Sequence, residues 1–179
     1  MNPSDASSDL SPADLPKLTR TLRENLRQFP DFPSPGIIFE DILPLFASPS
    51  LHNTLIQALE LHILANFAVQ NLPDIIVGLE ARGFLFGPTL ALRLGAGFVP
   101  VRKPGRLPGP TQEAKFVKEY GEDAFHMQAD AIKKGQKVLV VDDILATGEP
   151  TPRALTGSSD SPNHCTCSSS LPLQYHVQV

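Results

Sequence analysis

The stretch VLVVDDILATG, residues 138–148, decides the fold class that we expect for this chain. Its first four residues form a continuous apolar run, which is typical of a strand buried on both faces of a parallel sheet. Two adjacent acids, Asp142 and Asp143, close the run, and the small residues at 146–148 follow. Two buried carboxylates without partners would be costly, so we expect this strand end to face a polar ligand.

The chemistry of this strand end suits a phosphorylated pentose. The carboxylates of Asp142 and Asp143 can accept hydrogen bonds from two vicinal hydroxyl groups, with a divalent cation nearby. The small side chains of Ala146, Thr147 and Gly148 allow successive backbone N–H groups to form an anion-binding nest. A strand that simply ends in solvated aspartates is the alternative reading.

Two further apolar segments predict strands of the same sheet. Residues 74–79 form a short apolar run that ends at EARG, residues 80–83, and a helix-compatible run follows at 84–94. Residues 98–101 give a third strand signal, which ends at an Arg-Lys pair, residues 102–103. Strands that alternate with helices predict an α/β fold, in which ligands bind at the carboxyl ends of the strands.

Two helices are predicted ahead of this sheet. Ser11 begins the first, which carries a leucine stripe and stops before Pro30, and Ser48 begins the second. Between them lies FPDFPSPGIIFEDI, residues 29–42, for which three prolines predict an ordered but irregular segment. The stripe residues of the first helix are Leu15, Leu18, Leu22 and Leu26.

The remaining segments are predicted to be loops and one hairpin. Residues 103–116 are rich in Gly, Pro and Lys, which indicates a mobile or functional loop. Residues 116–120 and 124–128 predict two short strands of a hairpin. Residues 149–179 hold no helical period, so we expect loop or disorder there.

Composition sets the class of protein. The chain has 179 residues, of which 41% are hydrophobic and 19% charged, with a formal net charge of −4. These values predict one globular domain over residues 1–148, with 1–10 disordered, and give no electrostatic footprint for nucleic acid or membranes. Two cysteines, Cys165 and Cys167, are too few for a disulfide framework or a zinc site. We expect a cytoplasmic protein, because the N-terminus lacks the pattern of a signal peptide.

Five segments resemble the adenine phosphoribosyltransferase family of type I phosphoribosyltransferases in order and spacing. They are FPDFPSPGIIFEDI, GLEARGFLFG, RKPGRLPGP, KEYG and DDILATG, and the resemblance covers about residues 29–148. It implies a mostly parallel sheet flanked by helices, with a flexible lid loop. It also implies Mg²⁺-dependent transfer of a phosphoribosyl group from phosphoribosyl pyrophosphate to adenine, which yields AMP and diphosphate, in a homodimer.

The resemblance implies roles for particular residues. Glu119 matches a glutamate that handles the proton at purine N7, Arg82 stabilises the leaving diphosphate, and residues 103–118 form the lid. Magnesium is implied on the substrate near Asp142 and Asp143, with no direct protein ligand. The residues implied to contact the substrates are Ile38, Glu40, Glu80, Ala81, Arg82, Arg102, Lys103, Tyr120, Asp142, Asp143, Ala146, Thr147 and Gly148.

The resemblance further divides these residues among the parts of the substrates. The backbone around Ile38 and Glu40 reads adenine, and residues 80–82 form the diphosphate loop, where the family often has a non-proline cis peptide. Arg102 and Lys103 offer charge to diphosphate, and residues 146–148 begin the 5-phosphate loop. Enzymes for 6-oxopurines place an Asp where this chain has Ala146, which favours adenine.

The resemblance ends after Gly148. There the family continues into a helix, whereas this chain continues with Glu149, Pro150, Thr151 and Pro152. Because proline has no amide donor and Glu149 is negative, we expect a weakened phosphate site and a fold that is incomplete at its C-terminus. Two alternatives follow, namely an impaired relative that acts only by dimerisation and a transferase for another base.

Overall fold

The computed structural model describes residues 11–118 and 121–143, with the backbone alone for 114–118 and 121–123. The chain divides into two compact units between Gln70 and Asn71. Residues 1–10 and the expected domain boundary at Gly148 lie outside the described residues, so the expected single domain over 1–148 stays a prediction.

Three helices form most of the first unit. A 3-10 turn (Pro12–Asp14) leads into α1 (Leu15–Glu24), and α2 (Leu43–Ala47) precedes α3 (Pro49–Asn66). Both α1 and α2 pack on α3. The two predicted helices are confirmed, although Leu26 lies beyond the end of α1. No helix in the described ranges is long and apolar enough to cross a membrane.

A β-hairpin lies where the proline-rich segment 29–42 was predicted to be irregular. Strands β1 (Arg27–Pro30) and β2 (Ile38–Asp41) pair antiparallel, with Phe29 opposite Phe39. The prediction was wrong at both ends of the segment, because the prolines at 33 and 35 fall in the turn and leave the flanking residues able to pair.

A parallel three-stranded sheet forms the centre of the second unit. Its strand order is β4-β3-β7, where β3 is Ile75–Leu79, β4 is Gly97–Val101 and β7 is Val138–Val141. Every residue of the central strand β3 is buried, which explains its continuous apolar sequence. All three predicted strands and the α/β class are confirmed. The buried cluster on this sheet consists of Ile75, Val77, Leu79, Val99, Val101 and Met127.

Helix α4 (Gly83–Leu94) lies unusually close to the sheet because glycines face it. A Cβ atom at Gly83 would lie 2.6 Å from the carbonyl oxygen of Val141, the last residue of β7. A Cβ atom at Gly87 would lie 2.6 Å from Cε2 of Phe98. The first residue of α4 is therefore held against the end of β7.

A second hairpin follows the loop after β4. Strands β5 (Thr111–Lys118) and β6 (Gly121–Gln128) pair antiparallel, so the predicted hairpin is confirmed. It begins at Thr111 rather than Phe116, because the residues from 111 onwards find partners on β6. Arg102 and His126 exchange backbone hydrogen bonds of 3.0 and 2.7 Å, which join β6 to the end of β4.

Candidate active site

The carboxyl ends of β3, β4 and β7 meet at one edge of the parallel sheet. Residues 80–82 follow β3, residues 102–103 follow β4, and residues 142–143 follow β7. The structure thus brings together seven predicted site residues on neighbouring strand ends. They are Glu80, Ala81, Arg82, Arg102, Lys103, Asp142 and Asp143.

Glu80 links the ends of β3 and β4. Nη2 of Arg102 donates to Oε1 of Glu80 at 2.7 Å, and the backbone N–H of Lys103 donates to Oε2 at 3.3 Å. Nη1 of Arg102 donates to the carbonyl oxygen of Arg106 at 3.0 Å. The hydrogen bond from Arg102 lowers the pKa of Glu80, and the same bond raises the pKa of Arg102.

Replacing Glu80 with glutamine is expected to destabilise the chain slightly at neutral pH and hardly at all in acid. Because the folded-state pKa of Glu80 is lowered, its contribution is present above the unfolded pKa and is lost as pH falls through the folded value. Urea unfolding followed by circular dichroism at about pH 7 and pH 3 measures the difference. A difference that grows in acid would contradict this account, and Glu113→Gln, on β5, is the control.

Arg82 and Asp143 form the second ion pair of the site, across β3 and β7. Nε of Arg82 lies 2.5 Å from Oδ2 of Asp143, whose side chain is only 2% exposed. Nε nevertheless lacks a well-directed hydrogen bond, so the contact is an ion pair whose N–H is not aligned with the oxygen. The other oxygen of Asp143, Oδ1, is buried and has no hydrogen-bond partner among the described residues.

Asp142 differs from Asp143 in its surroundings. Its Oδ1 accepts a hydrogen bond of 3.0 Å from the backbone N–H of Asp143, and the residue is half-buried. Burial raises the pKa of Asp142 to about 6, and the negative charge of Asp143 adds to the rise. Asp142 is therefore a carboxyl group that loses its proton just below neutral pH.

The chain between β3 and α4 has the backbone geometry that the resemblance implies. The Glu80–Ala81 peptide bond is cis without involving proline. Ala81 is exposed at this loop, and Lys103 is exposed at the neighbouring strand end. With two arginines engaged by acids, Lys103 adds further positive charge to this edge of the sheet.

Ile38 and Glu40 belong to the first unit, on β2. Residues two apart on a strand share a face, and both of these are exposed. Nε2 of Gln28 donates to Oε1 of Glu40 at 3.0 Å across the hairpin. Their implied contact with adenine stays a prediction.

Five predicted site residues, and the whole of the atypical tail at 149–179, lie outside the described residues. Their roles stay predictions. The five are Glu119, Tyr120, Ala146, Thr147 and Gly148.

The described donor set fits a magnesium ion that arrives with a phosphorylated substrate. In residues 11–118 and 121–143, no cluster of three or more His, Cys, Asp or Glu side chains could hold a metal ion. Two carboxylates do stand together at the end of β7, on Asp142 and Asp143. Mg²⁺ commonly binds near one or two carboxylates while phosphate oxygens and waters complete its shell.

The partners within the site were not predictable from the sequence. Arg82, Arg102 and both acids were predicted site residues, but the pairing of Arg82 with Asp143 and of Arg102 with Glu80 was not predicted. The role of Gly83, which places Arg82 beside β7, was not predicted either. Acids and arginines at successive strand ends were a signal of such pairs, but the strand order was needed to match them.

The chain is similar in sequence to known phosphoribosyltransferases. A family model described as a phosphoribosyl transferase domain matches residues 51–150. An adenine phosphoribosyltransferase of Candida albicans is 60% identical over 131 residues, which are 73% of this chain and 67% of that protein. The same-named protein of Yarrowia lipolytica is 60% identical over 134 residues, 75% of this chain and 73% of its own length.

The fold of the chain is also similar to that of a solved structure. The match to adenine phosphoribosyltransferase from Saccharomyces cerevisiae has a TM-score of 0.70 and 51% sequence identity, and it covers 78% of each of the two chains. That protein was solved in complex with adenine and D-2,5-dideoxy-2,5-imino-altritol 1,6-bisphosphate. Its ligands are therefore a purine base and a bisphosphorylated imino sugar.

Proposed function

We propose that this chain, which belongs to the adenine phosphoribosyltransferase family, transfers a phosphoribosyl group from phosphoribosyl pyrophosphate to adenine. The products are AMP and diphosphate, so the reaction is a purine salvage step. The observation that carries the proposal is the sheet edge where Arg82, after β3, pairs with Asp143, after β7, and Arg102, after β4, pairs with Glu80.

Asp142 suits the pentose. It is half-buried, so its carboxylate can take part in a site without being sealed from it. With a pKa of about 6, the carboxyl group is mostly ionised at neutral pH and can accept hydrogen bonds from ribose hydroxyls. Ala146, Thr147 and Gly148, which follow in the sequence, are proposed to begin the 5-phosphate loop.

The cations at the strand ends suit the leaving group. As diphosphate departs, C1 of the ribose gains positive charge and the diphosphate oxygens gain negative charge. Arg82, Arg102 and Lys103 are proposed to stabilise those oxygens, because fixed cations need no reorganisation during the reaction. A magnesium ion on the diphosphate would supply further positive charge. Glu80 and Ala81 are proposed to complete the diphosphate loop, residues 80–82.

The base and the lid are assigned by family membership. The backbone at Ile38 and Glu40 is proposed to read adenine, while Glu119, with Tyr120 beside it, handles the proton at N7. Ala146 stands in place of an acid that would favour 6-oxopurines. Residues 103–118 are proposed to close over the site and exclude water, which would otherwise hydrolyse the donor.

We also propose that the chain is a cytoplasmic homodimer. Its helix α4 carries exposed leucines, Leu85 at 39% and Leu92 at 83%, which suit a contact with a second copy. Sedimentation equilibrium of the purified chain measures the association directly, and a monomer at micromolar concentration would contradict it.

The reaction is tested by AMP formation from labelled adenine, phosphoribosyl pyrophosphate and Mg²⁺. We expect the unaltered chain to form AMP and Lys103→Gln to lower kcat/KM about tenfold, since one cation at the diphosphate is lost. Lys133→Gln removes an exposed lysine from the turn before β7 and is the matched control. No AMP from a folded preparation, or an equal loss in both variants, would contradict the proposal.

A further inference from the structure

The two acids at the end of β7 occupy different environments. Asp142 is half-buried, whereas the side chain of Asp143 is 2% exposed and lies against Arg82. Neighbouring residues of the same type therefore present different surfaces to a ligand. Asp142 is the more accessible of the two, while Oδ2 of Asp143 is engaged by Arg82.

We infer that Asp143 is a positioning residue, which holds the guanidinium of Arg82 for the diphosphate. This inference rests on the proposed function and adds a task for Asp143 within it.

The exposure of Arg82 supports this arrangement. Its Nε is buried, yet 40% of the side chain is exposed, so the accessible surface lies on other atoms of the side chain. A guanidinium is planar, so an acid that fixes Nε also limits where Nη1 and Nη2 can point. Those two nitrogens carry four N–H donors suited to phosphate oxygens.

The close packing of α4 against β7 determines where Arg82 and Asp143 lie relative to each other. Gly83 follows Arg82 and lies so close to Val141 that a Cβ atom would stand 2.6 Å from the carbonyl oxygen. Val141 ends β7 and is followed by the acid pair. The main chain on both sides therefore fixes the separation of Arg82 and Asp143.

The direction in which removal of Asp143 changes diphosphate affinity distinguishes a positioning role from simple charge repulsion. Diphosphate is an anion, so removal of a nearby negative charge should by itself strengthen its binding. If Asp143 holds Arg82, its removal weakens diphosphate binding instead. Diphosphate also lacks a pentose, so a residue that only binds ribose hydroxyls has no contact to lose.

Calorimetric titration with inorganic diphosphate in Mg²⁺ buffer tests the inference. We expect Asp143→Asn to weaken binding about tenfold or more, the size of one charge-assisted contact. Asp130→Asn, which alters an exposed aspartate after β6, is the matched control and should bind diphosphate as tightly as the unaltered chain. Unchanged or tighter binding by Asp143→Asn would overturn the inference and leave the proposed function standing.

A double-mutant cycle with Arg82→Gln identifies the path of the effect. If Asp143 acts through Arg82, adding Asp143→Asn to Arg82→Gln causes no further loss of diphosphate affinity. The double variant also removes both charges of the pair, so it leaves no buried ion unpaired if a single variant fails to fold. A full tenfold loss in the Arg82→Gln background would overturn the inference.

Hydrogen exchange in the unaltered chain gives a readout that needs no substitution. The Nε–H of Arg82 should exchange with solvent at least about tenfold more slowly than that of the exposed Arg106, since its nitrogen is buried beside a carboxylate. Equal exchange would overturn the inference. No diphosphate binding by the unaltered chain would instead overturn the proposed function, and with it the task assigned to Arg82.

Discussion

Replacing Gly83 with alanine is expected to destabilise the chain by about 1–3 kcal/mol and to weaken diphosphate binding at least about tenfold. The new Cβ atom would lie 2.6 Å from the carbonyl oxygen of Val141 and 3.2 Å from Cα of Gly78. Both contacts are main-chain atoms of packed strands, so no side-chain rotation relieves the overlap. The start of α4 must then move, and Arg82 moves with it.

Gly87→Ala is the matched variant on the same helix. Its Cβ atom would also meet a neighbour at 2.6 Å, but that neighbour is the ring of Phe98, a side chain that can be replaced. Phe98→Leu should therefore relieve part of the cost of Gly87→Ala and none of the cost of Gly83→Ala. Because the chain has no tryptophan, urea unfolding is best followed by circular dichroism. Equal stability of Gly83→Ala and the unaltered chain would contradict the close packing.

The parallel sheet was predictable because its strands are continuously apolar, although only β3 is buried at every residue and β7 is fully buried at alternate residues. The runs at 75–79 and 138–141 are continuously apolar, and each becomes a strand of the sheet. The hairpin of β1 and β2 was not predictable in the same way. Its four-residue strands are exposed except for Phe39 and Asp41, so they carry no clear alternation, and the prolines hid the pairing.

The candidate site was predictable in its members and not in its internal contacts. Strand ends rich in acids and arginines identify a ligand edge, because polar residues there have no core to enter. Which acid meets which arginine depends on the order β4-β3-β7 and on the approach of α4 at Gly83. Both depend on contacts between residues far apart in the chain, which spacing alone does not reveal.

Replacing Asp142 with asparagine is expected to stabilise the chain at neutral pH by about 1–3 kcal/mol. Burial raises the folded-state pKa from the model-peptide value of 3.8 to about 6. The carboxyl group thus contributes stability that is full below about pH 4 and is lost as pH rises through about 6. Asparagine carries no charge, so the stability of the variant relative to that of the unaltered chain should rise as pH rises from about 4 through about 6.

Urea unfolding of both proteins at about pH 4 and pH 7.5, without Mg²⁺, measures the gain. Asp130→Asn, an exposed aspartate after β6, is the control and should show no such gain. If Asp142→Asn is less stable than the unaltered chain at neutral pH, the burial argument for this residue is wrong.

The same substitution should act in the opposite direction on the substrate. The half-buried carboxylate of Asp142 lowers the stability of the empty fold at neutral pH, and ribose hydroxyls can offset this by hydrogen-bonding it when they bind. Asp142→Asn should therefore bind phosphoribosyl pyrophosphate about tenfold more weakly while it binds diphosphate as before. A more stable protein that has lost affinity for phosphoribosyl pyrophosphate alone would show that Asp142 serves the pentose and not the leaving group.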